Sequence, residues 1–300
     1  MSPISTDRGY DPDAGVTAAR IADQMAYLSG WLPPAPARIL DAGCGRGDLA
    51  RALARAGYTV TAVDVDPVTV GTAVARGAPA IVADLLHYQD DRPFDVVLCV
   101  LSLHHMTDLA GAVRRAWSLL RPGGLLVVDE FAWERADPAT AGWYHDTAAL
   151  LAAAGRLAPV PLDPPEAAPL ATVEPRDRTA EPGDGTPEPR GGTARTASTT
   201  AEPGAAPDGT PYARWVGRHR DVHRLHPGDA VTREIARLFE IREAVRVPYL
   251  HRYLADRLGD DADGLAVFTV LRQIERLRVA DGGLAAVGLR LLAQARPKGN

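Results

Sequence analysis

The chain has 300 residues, 46% of them hydrophobic, with 33 basic residues against 38 acidic ones and a formal net charge of -5. That balance excludes a fibrous or wholly disordered chain, and it leaves no basic footprint for nucleic acid or an anionic membrane surface. Two cysteines, Cys44 and Cys99, are too few for a disulfide framework or a structural zinc site, so both are expected as free thiols in a reducing cytoplasm.

Met1–Tyr10 is polar and has no apolar core of the signal-peptide kind, and no window approaches the roughly 20 apolar residues of a membrane span. The expected location is therefore cytoplasmic and the expected partner a small molecule, with neither nucleic acid nor membrane. In an N-terminal segment, residues 1–36, the spacing of Ile21, Met25, Leu28 and Trp31 predicts an amphipathic helix over Val16–Leu32, stopped by Pro33-Pro34. Strand and helix patterns then alternate through residues 37–132. The predicted order is strand Arg38–Asp41, helix Asp48–Ala56, strand Tyr58–Asp64, helix Pro67–Arg76, strand Ala80–Ala83, strand Phe94–Val100, helix Leu109–Leu120 and strand Leu125–Glu130. Apolar strands alternating with helices predict the α/β class, a doubly wound parallel sheet covered on both faces.

Residues 133–158 read as a helical cover, with a helix over Ala139–Ala154. Residues 159–211 hold roughly half of the chain's 25 prolines and almost no aromatics, the composition of a disordered insertion. A second stretch of helical cover is expected over 212–238. Residues 239–300 return to the core, with a strand at Phe239–Val247, helices at Pro248–Leu258 and Gly264–Leu277, and a closing strand over Gly283–Gln294.

The informative stretch is Ile39-Leu40-Asp41-Ala42-Gly43-Cys44-Gly45-Arg46-Gly47-Asp48, an apolar run ending in an acid, then glycines at every second position, then a helix. Such a loop is shaped for close approach to a ligand at the sheet edge where doubly wound folds bind nucleotides. Asp64 ends the second strand about 20 residues beyond the glycines, the place from which a carboxylate accepts both ribose hydroxyls. Asp84 follows the third strand, within reach of an adenine amino group. Any one aspartate at a strand end is read as readily as a cap or turn former, as Asp66 is, but three at the ends of three successive strands point to a ligand. The dinucleotide pattern G-x-G-x-x-G fails because Asp48 stands in place of its third glycine. Asp41 would repel a pyrophosphate and attract an ammonium or sulfonium, which favours S-adenosylmethionine over NAD.

Leu40–Gly47, Val63-Asp64, Ala83-Asp84-Leu85, Phe94–His105 and Leu120-Arg121-Pro122-Gly123-Gly124 resemble, in order and spacing, the successive motifs of the class I S-adenosylmethionine-dependent methyltransferases. The likeness covers roughly residues 20–132, and a weaker one in the tail is to actinobacterial small-molecule members. The resemblance implies a Rossmann-like seven-stranded sheet with its last strand antiparallel, Phe239–Val247 and Ala285–Gln294 forming the final pair. It also implies that Asp41, Gly43 and Gly45 lie against the methionine part of the cofactor, with Cys44 beside them in the binding loop and Gly47 shaping the turn. Asp64 would hold the ribose, with Val65 beside it in the cofactor site, Asp84 and Leu85 would hold the adenine, and Val100 or Leu101 would border the cofactor after the fourth strand.

Trp143, Tyr144, Trp215, His219 and Tyr249 are the candidate substrate-binding residues, since aromatics and histidines lining a mouth suit an aromatic or amphipathic small molecule. Anchoring of the cover is the competing role for the tryptophans. His219 and His223 have helical i, i+4 spacing but no third ligand, so no metal is expected. A sulfonium methyl is already activated, so no protein base is obligatory; for a hydroxyl acceptor, His104 or His105 stands in the right loop, with a packing role equally open. The acceptor atom (O, N or C) stays undetermined. A non-catalytic cofactor-binding module and an NAD-dependent oxidoreductase remain the alternatives.

Overall fold

A computed structural model describes residues 15–158 and 209–297. The disordered insertion expected over 159–211 lies, for residues 159–208, outside the described residues. Its last residues are ordered: Thr210 accepts from the Ala213 N–H and caps the helix that starts at Pro211.

In chain order the elements are α1 (Gly15–Leu28), β1 (Arg38–Ala42), α2 (Asp48–Arg55), β2 (Thr59–Asp64), α3 (Pro67–Ala75), β3 (Ala80–Val82), β4 (Phe94–Val100), α4 (Leu109–Leu119), β5 (Leu120–Phe131), α5 (Pro138–Ala153), α6 (Pro211–Val216), α7 (Gly228–Leu238), β6 (Phe239–Val247), α8 (Leu250–Ala255), α9 (Ala262–Ala280) and β7 (Gly288–Ala295). One seven-stranded sheet has the order β3-β2-β1-β4-β5-β7-β6. The first five strands pair in parallel, and β7 is antiparallel to both β5 and β6. This is the Rossmann-like doubly wound α/β fold that the sequence pattern implies. The central strands read as continuous apolar runs because both faces are covered: Ile39, Leu40, Val96, Val97, Leu98, Val127 and Val128 are all fully buried.

Three elements differ from the sequence expectation. The turn Leu120–Gly124 does not precede a strand but sits inside one: Phe94 pairs with Leu120 and Val96 with Leu125, so the glycines bulge out of β5. The closing strand starts at Gly288, later than Gly283, because the Asp281–Gly283 turn ends α9 first. The polar helical stretch around His219 is a π-helical turn, Gly217–Val222, which widens the backbone between α6 and α7.

A buried carboxylate secures the C-terminal helices. Glu275 of α9 is fully buried and accepts from the N–H groups of Tyr249 (2.7 Å), Leu250 (2.8 Å) and His251 (2.9 Å), and from His251 Nδ1 (2.6 Å). It thereby satisfies the orphan donors at the start of α8. Glu275→Ala leaves these buried donors unpaired and is expected to cost about 3 to 5 kcal/mol, read as a lowered urea midpoint with an unchanged slope. A loss below about 1 kcal/mol contradicts this account.

Candidate functional site

The strands β1, β2 and β4 end at one edge of the sheet, and the loops leaving them meet there. The Gly43 and Cys44 N–H groups both donate to Val63 O, at 2.8 and 3.0 Å, which folds the glycine loop across the end of β2. Gly43 has φ 81°, and a Cβ on it would stand 2.5 Å from Ser102 Cβ, so this glycine lets the β1 and β4 loops touch. Gly47, at φ 73°, opens α2, and a Cβ there would stand 2.5 Å from Ala78 Cβ. Gly47 thus shapes the turn against its own scaffold.

Two cavities flank this loop and share Gly43 and Leu101 as a common wall. The first, about 380 Å³, is lined by Asp41, Cys44, Gly45 and Val100 from the sheet edge and by Arg20, Gln24 and Asp256 from outside it. The second, about 230 Å³, is lined by Asp64, Val65, Asp84 and Leu85 on one side and by Ser102, His105 and Met106 on the other. Leu101, with φ 55°, is in the left-handed region, which a side chain of its size adopts only under constraint. Its N–H donates to Asp129 O at 2.9 Å, and the next N–H donates to Glu130, so β5 enforces the strain.

The electrostatics divide the same way. Asp41 is buried beneath the glycine loop, and burial, with Asp64 nearby, raises its carboxyl from 3.8 to about 7. Asp64 is pre-set by the glycine loop, its two oxygens accepting from Gly45 N at 2.9 Å and Asp66 N at 3.1 Å. Asp66 itself caps α3, accepting from Val68 and Thr69. Asp84 accepts from Leu86 N at 2.9 Å and meets His87 Nδ1 at 3.0 Å, a neighbour that sequence reasoning did not pair with it. Burial and the two aspartates push the Cys44 thiol up to about 12, so it is a protonated, unreactive wall. Cys44 and Cys99 are both free thiols.

Of the histidine pair, His105 reaches the second cavity and His104 turns inward to Glu130. Burial, then its neighbour His104, lowers His105 to about 4, leaving it neutral in ordinary conditions. The rings expected to line an aromatic mouth are packed inside the protein in this structure. Tyr144, Trp215, His219 and Tyr249 are buried in a core with Phe131 and Trp133, and Trp143 is packed against its edge. The indole of Trp215 donates to Trp133 O, and His219 spends both ring nitrogens, on Trp215 O at 2.7 Å and Tyr253 Oη at 3.0 Å. Packing claims these rings because each has a neighbouring ring or backbone partner to satisfy it. Leu101 is packed against the same cluster, so the core begins where the shared cavity wall ends.

Sequence reasoning missed Arg20, Gln24, Ser102, Asp256 and Glu130. The only local signal was the i, i+4 spacing of Arg20 and Gln24 on one face of α1. Arg20 also pairs with Asp256, across the mouth of the first cavity.

Residues 15–155 match a family model described as a methyltransferase domain. Among curated relatives, the chain is 39% identical over 114 residues to a ubiquinone biosynthesis O-methyltransferase of Xylella fastidiosa (strain 9a5c), covering 35% of this chain and 46% of that protein. It is 40% identical over 100 residues to the protein of that name from Caulobacter sp. (strain K31), covering 30% of this chain and 39% of that one. The chain thus spans less than half the length of these relatives. A solved S-adenosylmethionine-dependent methyltransferase of Mesorhizobium loti aligns over 95% of this chain and 100% of its own, with a TM-score of 0.48 and 15% identity. The N-methyltransferase NodS of Bradyrhizobium japonicum WM9 aligns over 95% and 90%, with a TM-score of 0.44 and 15% identity.

Asp41 generates a pH test. A buried acid at about 7 instead of 3.8 keeps a proton that the unfolded chain has released, so the free protein loses stability as pH rises between those values. Asp41→Asn removes that loss. Its melting temperature is expected to match wild type at pH 4 and to exceed it by at least about 5 °C at pH 8, measured by thermal unfolding without ligand.

Proposed function

We propose that this chain, whose residues 15–155 match a methyltransferase-domain family model, binds S-adenosylmethionine in the paired cavities and transfers its methyl group to a small molecule. The observation that carries the reading is the pairing of Asp41 and Asp64 in adjoining cavities around one glycine loop. A buried carboxyl poised at about 7 is held ionised by a cationic ligand and is disfavoured beside a pyrophosphate.

The residues present fit that cofactor. Asp41, Gly43, Cys44 and Gly45 offer the methionine part an acid and close backbone, while Arg20 and Arg46, on the same cavity, suit its carboxylate. Asp64 keeps lone pairs for two ribose hydroxyls beside Val65, and Asp84 with Leu85 offers an edge and an apolar face to adenine. Bound there, the cofactor supplies an activated methyl. This chain's own part is to orient the acceptor in line and exclude water, with Val100 and Leu101 at the boundary. Among the described residues no helix is long and apolar enough to cross a membrane.

The partial likeness to O-methyltransferases supports oxygen as the acceptor atom. A non-catalytic binding module is the second reading, supported by the closed aromatic core where a substrate mouth was expected. Transfer of labelled methyl to a panel of phenols, amines and carboxylic acids distinguishes the two.

Calorimetry tests the cofactor. S-adenosylmethionine and its demethylated product are expected to bind and NADH not to; tighter binding of NADH overturns the reading. Asp64→Ala is expected to weaken S-adenosylmethionine by about 1.5 to 3 kcal/mol, roughly 10- to 150-fold in Kd. Unchanged affinity removes Asp64 from the site.

A further inference from the structure

Thr17, Arg20, Ile21 and Gln24 of α1 all line the first cavity. They recur every three or four residues, so they form one stripe of the helix and a single wall of the cavity. Burial deepens along that stripe: Arg20 is partly exposed at the mouth, Gln24 is 6% exposed, and Leu28, one turn on, is sealed in the core. The helix is held in place from outside the sheet. Thr17 N–H donates to Asp260 at 2.9 Å, Arg20 pairs with Asp256, and Arg272 of α9 donates to Asp23 at 2.6 Å. The position of the Gln24 amide is therefore set by the fold before any ligand arrives.

Most of the deeply buried polar side chains are spent on other protein groups: Asp129 on Arg252, Glu130 on the turn after β4, Glu275 on the start of α8, His219 on Trp215 O and Tyr253. Gln24 and Asp41 make no side-chain hydrogen bond to any described residue, and both line the first cavity. A buried amide with neither its donors nor its acceptor met is costly, and the groups that can meet it are those of a ligand in that cavity. The wall around it mixes signs, with Asp41 suited to a cation and Arg20 and Arg46 to an anion. A ligand of one charge answers only half of that lining, whereas a zwitterion answers all of it. An amide suits the same ligand, because Oε1 accepts while Nε2 donates and the group carries no net charge.

We propose that Gln24 reads the α-amino-acid end of a zwitterionic ligand in the first cavity, Oε1 accepting from the α-ammonium beside Asp41 and Nε2 donating to the α-carboxylate beside Arg20. The inference rests on the cofactor reading above and extends the site to α1. Gln24 is a binding residue: it takes no part in methyl transfer, and its contribution is the same for the cofactor and for its demethylated product. What it discriminates against is a ligand with the same adenosine and sulfur but no amino-acid end.

The test is calorimetric and needs no turnover. The full chain is titrated with S-adenosylhomocysteine and with 5′-methylthioadenosine, which keeps the adenosine and a thioether but lacks the amino-acid end. Wild type is expected to bind S-adenosylhomocysteine at least about 10-fold tighter than methylthioadenosine. Gln24→Leu fills a similar volume without polar groups; it is expected to weaken S-adenosylhomocysteine about 10- to 100-fold and to leave methylthioadenosine within about twofold. Gln24→Glu keeps an acceptor for the ammonium but sets a like charge against the carboxylate. It is expected to lose S-adenosylhomocysteine to a similar extent while binding S-adenosyl-3-thiopropylamine, which has the ammonium and no carboxylate, at least as well as wild type. Should Gln24→Leu fail to fold, as read by its melting curve, Gln24→Glu decides. Unchanged S-adenosylhomocysteine affinity in Gln24→Leu, the result of an amide that faces the acceptor instead, overturns the proposal. So does an equal loss for both ligands, which marks a structural effect, or a Gln24→Glu chain that loses the amine as badly as the amino acid. Wild type binding both ligands equally overturns this proposal alone, whereas its failure to bind S-adenosylhomocysteine overturns the methyltransferase reading beneath it.

Discussion

A carboxylate sealed from water must find its full set of donors in the protein, and the end of β5 carries two in succession. Asp129 and Glu130 are both fully buried. Both carboxylate oxygens of Asp129 accept from Nη1 of Arg252 in α8, at 3.0 and 2.9 Å, while its backbone oxygen holds Leu101. Glu130 takes the turn that follows, and Phe131 enters the aromatic core. Three consecutive residues thus tie the β4 loop, a C-terminal helix and the cover to one strand. Breaking the contacts of either carboxylate leaves an uncompensated buried charge or an unpaired donor, and losing the Phe131 ring leaves a cavity, all costly in a protein interior. The cavity walls inherit their rigidity from that strand end.

The parts of the molecule legible in the sequence are those governed by local rules. Strand and helix periods gave the alternating core, and the glycines announced their loop because backbone angles are a property of the residue itself. Asp64 was findable from its separation from the glycines, since that interval is one helix and one strand long. Glu130 was read only as the end of a strand. Its partners lie 26 to 28 residues earlier, and nothing local says which turn will face it.

The aromatic residues show a different limit. His219 and His223 were recognisable as a helical i, i+4 pair, but helical spacing does not say whether a face meets solvent, substrate or protein. The π-helical turn at Gly217–Val222 decides it, setting the His219 ring against Trp215 O and Tyr253. With both nitrogens engaged and burial lowering its basicity, that histidine behaves as an aromatic spacer. His104, chemically identical, differs because its partner is a charge.

The contact between Gly43 and Ser102 has an evolutionary consequence. With φ 81° at position 43 and 2.5 Å between a Cβ there and that of Ser102, position 43 has no room for a side chain while residue 102 carries a Cβ. In an alignment the two columns must drift together or stand still.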